Sequence, residues 1–168
     1  MRIIVSDTSC LIDLRKGQLL AALFALPFEV QLALPLARDE LSSFTEADWE
    51  QLAAQGLKIV DLDGKLVARA LVLKREHRRL SAYDALTLAL AESEKHSVLL
   101  TSDRALRSAA TTLAIEVHGI LWVIDKLVEA RLLSAADIHA ALKRLEADPL
   151  VFLPVDELKN RIEKLARY

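Results

Sequence analysis

Cysteine is nearly missing from this chain: Cys10 is the only one among 168 residues. No intramolecular disulfide can form, and such sparse use of the residue suits a reducing compartment. Glycine and proline are also scarce, with four of each, which excludes collagen-like repeats and Gly/Pro-rich disorder. Long apolar runs are missing too. The stretch from about Leu19 to Phe28 contains Pro27 and falls well short of the roughly 20 residues a membrane span needs. The opening run Ile3-Ile4-Val5 ends at Asp7, too soon for the core of a signal peptide. A cytoplasmic protein without a membrane partner is therefore expected. A basic excess is the last absence: net charge is −2 and the pI is 6.1. Each phosphate neutralised by Lys or Arg releases counterions and adds affinity. A nucleic-acid partner would therefore need bound cations or a local basic patch.

What is present is an ordinary globular composition, 53% hydrophobic and 27% charged. A chain of this length buries a substantial core without covalent staples. No repeat or linker divides it, so residues 1–168 are read as one domain. Its core covers about residues 1–118, and a helical extension covers about 119–168.

Short apolar runs alternate with helical patterns. Strands are expected at Arg2–Ser6, Glu29–Leu34, Leu57–Asp61, Ser97–Thr101 and Ile115–Val117. Helical spacing covers Leu11–Phe24 (broken near Gly17), Leu36–Phe44, Lys65–His77, Ala82–Lys95 and Arg104–Leu113, and after these Ile120–Ala130, Ala135–Leu145 and Val155–Ala166. Apolar strands between amphipathic helices imply a three-layer α/β/α fold with a mostly parallel sheet of four to five strands. Ligands in such folds sit at the carboxyl ends of the strands.

The acidic residues follow that plan. Asp7 ends the first strand, and Asp103 follows Leu99-Leu100-Thr101-Ser102. Glu40 and Asp84 fall near the starts of helices that begin at Pro35 and Ser81. Clustered carboxylates raise one another's pKa unless a cation sits among them. Mg²⁺ and Mn²⁺ favour such all-oxygen sites and can activate water against a phosphodiester. The hydroxyls of Thr8, Ser9, Thr101 and Ser102 suit the orientation of ligands or water.

These residues also carry a family likeness. Val5-Ser6-Asp7-Thr8-Ser9-Cys10-Leu11-Ile12 resembles the opening of PIN-domain nucleases. Ala37-Arg38-Asp39-Glu40-Leu41, Ser81-Ala82-Tyr83-Asp84-Ala85 and Leu99-Leu100-Thr101-Ser102-Asp103 resemble the family's second, third and fourth acidic motifs. The likeness keeps the family's order over about residues 2–118. It implies an endoribonuclease dependent on Mg²⁺ or Mn²⁺, with Asp7, Glu40, Asp84 and Asp103 as catalytic metal ligands supported by Thr8 and Thr101. It further implies a homodimer acting on RNA and, as in VapC-like toxins, control by an antitoxin protein. The segment from His118 onward looks more like a bacterial PIN subgroup of unassigned role.

Plainer readings stand beside these. Asp7 and Asp103 are good helix caps. Asp84 follows Ser81 at capping-box spacing, as Asp137 follows Ser134 where no chemistry is expected. Glu40 lies beside Asp39, its substitute if the register shifts by one. The cluster Lys74-Arg75-Glu76-His77-Arg78-Arg79 can hold RNA phosphates, but a solvated helix end, where cations complement the dipole, is the simpler reading. The four histidines lack metal-ligand spacing, and Trp122 reads as core or dimer surface. A phosphatase of the haloacid-dehalogenase type would need Asp at position 9, which is Ser. The alternative of another class is a non-catalytic binding or regulatory module on a PIN-like scaffold.

Overall fold

The computed structural model describes residues 1–40 and 43–166. The strands are β1 (Arg2–Ser6), β2 (Phe28–Ala33), β3 (Leu57–Val60), β4 (Val98–Leu100) and β5 (Glu116–His118). The helices in the first half are α1 (Thr8–Lys16), α2 (Leu20–Ala25), α3 (Leu34–Asp39), α4 (Glu46–Ala54) and α5 (Gly64–Glu76). Then come α6 (Ala82–Ser93), α7 (Arg104–Thr112), α8 (Ile120–Glu129), α9 (Ala135–Ala147) and α10 (Val155–Leu165).

All strands pair in parallel, in the order β3-β2-β1-β4-β5. Helices α1, α2 and α8 pack together on one face, while α5 and α6 pack together and α6 crosses β1, β2 and β4. The apolar character of the strands follows from this double cover: Ile4, Val5, Val98, Leu99 and Leu100 are fully buried. No helix among the described residues is long and apolar enough to cross a membrane.

The chain moves from β1 outward to β2 and β3, then returns to place β4 on the other side of β1. The crevice beyond the carboxyl ends of β1 and β4 is thus the point where the strand order reverses, the usual ligand position of such sheets. Register confirms the alignment, with Ser6 opposite Leu100 and the Asp7 amide donating to the Leu100 carbonyl at 3.0 Å.

Several boundaries differ from expectation. The run Leu11–Phe24 is two helices, and α1 starts at Thr8 because Asp7 caps it. Strand β2 sits one residue earlier and β5 one residue later than their patterns suggested. Pro35 lies in the first turn of α3 as expected, but that helix ends at Asp39; Leu41 and position 42 of the expected helix lie outside the described residues. Helix α4 was not anticipated. Its signal was the pair Thr45 and Asp48, which form a reciprocal capping box.

Candidate metal centre at the carboxyl edge of the sheet

Asp7 leaves β1 in extended conformation and caps α1. One carboxylate oxygen, Oδ1, accepts from the Cys10 amide and the Ser9 hydroxyl, each at 2.9 Å. The other, Oδ2, accepts from the Thr101 hydroxyl. Thr101 is fully buried and Asp7 nearly so, at 7% exposure. Burial pushes the Asp7 carboxyl above its ordinary range; the Thr101, Cys10 and Ser9 hydrogen bonds oppose that shift without cancelling it. Among the described residues no Lys, Arg or His pairs with Asp7, Glu40, Asp84 or Asp103.

Thr101 joins β1 chemistry to β4 chemistry. Besides donating to Asp7, its hydroxyl accepts from the Asp103 amide at 3.1 Å. Asp103 then caps α7, its Oδ1 accepting from the Leu106 amide at 2.8 Å. On the other flank, the Thr8 hydroxyl donates to Glu40 Oε2 at 2.9 Å. Glu40 is thereby drawn from the end of α3 to the residue beside Asp7. Asp39 turns elsewhere and accepts from the Tyr83 hydroxyl at 2.8 Å, a bond that ties α3 to the start of α6 and raises the Tyr83 pKa.

Asp84 forms the capping box its spacing suggested, accepting from the Ser81 amide at 2.7 Å while its own amide donates to Ser81 Oγ at 3.0 Å. Asp137, at the same spacing in α9, receives the Ser134 hydroxyl at 2.6 Å. The structure thus brings Asp7, Thr101 and Asp103 into one hydrogen-bonded chain and Glu40 to Thr8 beside it. Among the described residues Asp84 bonds only to its own helix start. Among the described residues no three His, Cys, Asp or Glu side chains stand together as a group that would hold a metal ion.

Capping and ligation are nonetheless compatible, since a carboxylate has two oxygens and about four lone-pair sites. Glu40 Oε1, Asp84 Oδ1 and Asp103 Oδ2 accept no hydrogen bond among the described residues. A buried, cation-free carboxylate with three neighbours that each keep an oxygen free suits a hard divalent ion. In donor chemistry the residues fit a metal.

Two features escaped the sequence reading. Tyr83 had no assigned role, although it stands directly before Asp84. Asp13 was overlooked because it falls within the apolar pattern of α1; it is buried, and its pKa is pushed up to about 6. Burial is the main cause. The Asp7 and Asp148 charges add to the shift, and Lys16 pulls against it.

A five-stranded all-parallel sheet flanked by helices is consistent with a PIN-like fold of the α/β class. The chain belongs to this family: a family model, DUF3368, described as a PIN domain, matches residues 3–167. PIN domains are generally nucleases and generally use divalent metal ions. No curated protein matches the chain.

Proposed function

We propose that the protein is a metal-dependent endoribonuclease that hydrolyses RNA phosphodiester bonds at the carboxyl edge of its sheet. Asp7, Glu40, Asp84 and Asp103 are the proposed ligands of Mg²⁺ or Mn²⁺. The observation that carries this reading is Asp7, buried at the switch point, held by three donors and paired with no cation among the described residues.

The residues divide the work. Thr101 fixes the Asp7 carboxylate and the backbone leading to Asp103, and Thr8 holds Glu40 toward the same crevice. Preformed orientation of this kind is what ligand-supporting hydroxyls contribute. A divalent ion held by these carboxylates would supply a water of lowered pKa and positive charge near the phosphodiester. Glu40, Asp84 and Asp103 keep one oxygen each for ligation while their other oxygens hold the local backbone or Thr8.

The remaining finer assignments are proposals of the same rank: a homodimer in the cytoplasm, and an antitoxin partner if the chain is a VapC-like toxin. Residues 1–168 are proposed to form one domain. The extension is bound into it, since α8 packs on α1 and α2 while α9 packs on α1. One observation favours the alternative of a non-catalytic PIN-like module: no three of the carboxylates group together among the described residues.

Metal titration followed by thermal unfolding, read together with an RNA-cleavage assay, decides between them. At a hundredfold excess over the dissociation constant, a ligand of the folded state adds about 2.7 kcal/mol, or about 5–10 °C in Tm for a domain of this size. Mn²⁺ should produce such a shift in the wild type and in Asp137→Asn but not in Asp7→Asn. Cleavage of single-stranded RNA should vanish in Asp7→Asn and Asp103→Asn with the circular dichroism spectrum unchanged. A metal shift without cleavage would favour the binding module, and cleavage that survives both substitutions would remove these residues from the site.

A further inference from the structure

We propose that the cavity beside Asp103, lined by His77, Arg78, Arg79 and Arg104, seats a backbone phosphate of the RNA strand adjoining the scissile one. The inference rests on the ribonuclease reading and adds the element that an acidic protein with a carboxylate centre lacks, a place for the substrate's own charge.

Several observations converge on it. The cavity measures about 490 Å³ and Asp103 is part of its wall, so an occupant lies directly beside the candidate centre. Its rim comes from the α5–α6 turn and from the start of α7. The turn is pinned: Leu80 is 2% exposed and its amide donates to the His77 carbonyl at 3.0 Å. The small side chains of Ala105, Ser108 and Ala109 leave the space open.

The charges are placed where folding gains nothing from them. Helix α5 ends at Glu76, and its last-turn cations are Lys74 and Arg75. Arg78 and Arg79 lie beyond that turn, too late to complement the helix dipole, so a solvated helix end does not account for them. Arg104 is the first residue of α7, where a cation opposes the positive pole and is mildly unfavourable. The chain neutralises Arg2, Arg15, Arg69 and Arg161 with carboxylates. Arg78, Arg79 and Arg104 are exposed and meet no carboxylate among the described residues, as is also true of Arg38, Arg75 and Arg131, but the first three line one cavity. Guanidinium forks match phosphate oxygens in a way that point charges do not.

The test is binding of a fluorescein-labelled single-stranded 12-mer RNA to the full-length protein by anisotropy. EDTA prevents cleavage, and the titration is repeated across a salt series. The wild type is compared with Arg78→Gln, Arg79→Gln, Arg104→Gln, their triple combination, and Lys159→Gln on α10 as control. The triple variant should bind at least tenfold more weakly, with a salt slope smaller by about 0.7, the contribution of one single-strand phosphate contact. In the cleavage assay its KM should rise while kcat stays within about twofold, and its Mn²⁺ thermal shift should equal that of the wild type. Arg104→Gln alone should melt no lower than the wild type, so a loss of affinity there is not a folding defect. If wild type and triple variant share one affinity and one slope while RNA is still cut, the cradle is wrong and the nuclease reading stands. If the wild type neither binds nor cuts RNA, both fall.

Discussion

Asp7 and Asp13 lie on the first two turns of the same helical segment, and both carry carboxyls raised by burial. Their titration has a definite sign. A carboxyl whose folded pKa lies above its ordinary value holds its proton in the native state after the unfolded chain has released it. Stability then falls as pH rises through the interval between the two values and is flat above it. For Asp13 the interval runs from the ordinary 3.8 to about 6, a cost of up to about 3 kcal/mol at neutral pH. Asp13→Asn should therefore gain stability over the wild type between pH 4 and pH 7, measured by urea unfolding at each pH. An identical pH profile for both proteins would show that Asp13 is not held in this environment. The same logic would make the proposed metal binding at Asp7 pH-dependent, since ligation needs the ionised carboxylate that burial disfavours.

What was legible at this scale depended on the neighbours of each acid. The positions of Asp7 and Asp103 at the ends of β1 and β4 could be read because each follows a short apolar run. The choice between Glu40 and Asp39 could not be read, because adjacent residues at a helix end differ by only about 100° in direction and share the same pattern. Here Thr8 and Tyr83 separate them. Asp84 shows that a cap and a candidate ligand share one spacing, so sequence cannot distinguish them.

At the scale of elements, β1 was readable to the residue because its apolar run stops abruptly at Asp7. Strands β2 and β5 slipped by one, since both are bounded by apolar residues that continue the pattern outside the ladder. Helix α4 was missed for lack of an apolar stripe: Leu52 is its only buried residue. The end of α1 is held by the extension. Gly17 leaves room for Leu145, whose Cγ would stand 3.3 Å from a Cβ at that position. Arg144 donates to the Gly17 carbonyl at 2.9 Å, and Lys16 pairs with Asp148 at 3.2 Å. Leu145 is 1% exposed, so Leu145→Ala should cost about 2–4 kcal/mol in chemical denaturation. A loss under about 0.5 kcal/mol would mean that α9 is only loosely applied to α1.

For the molecule as a whole, the doubly covered parallel sheet explains both its ordinary composition and the position of its chemistry. The same strand order that buries Ile4, Val5 and Leu99 places the ends of β1 and β4 at the reversal point. Family membership over residues 3–167 includes the helices after β5, which the motif likeness had not reached. Net charge of −2 would leave affinity for a polyanion to the proposed local basic rim rather than to the overall field. The most direct test of the metal centre is anomalous diffraction from crystals soaked in Mn²⁺. Density enclosed by Asp7, Glu40, Asp84 and Asp103 is the predicted result. A structure at saturating Mn²⁺ with these carboxylates unmoved in their caps, and no ion between them, would contradict it.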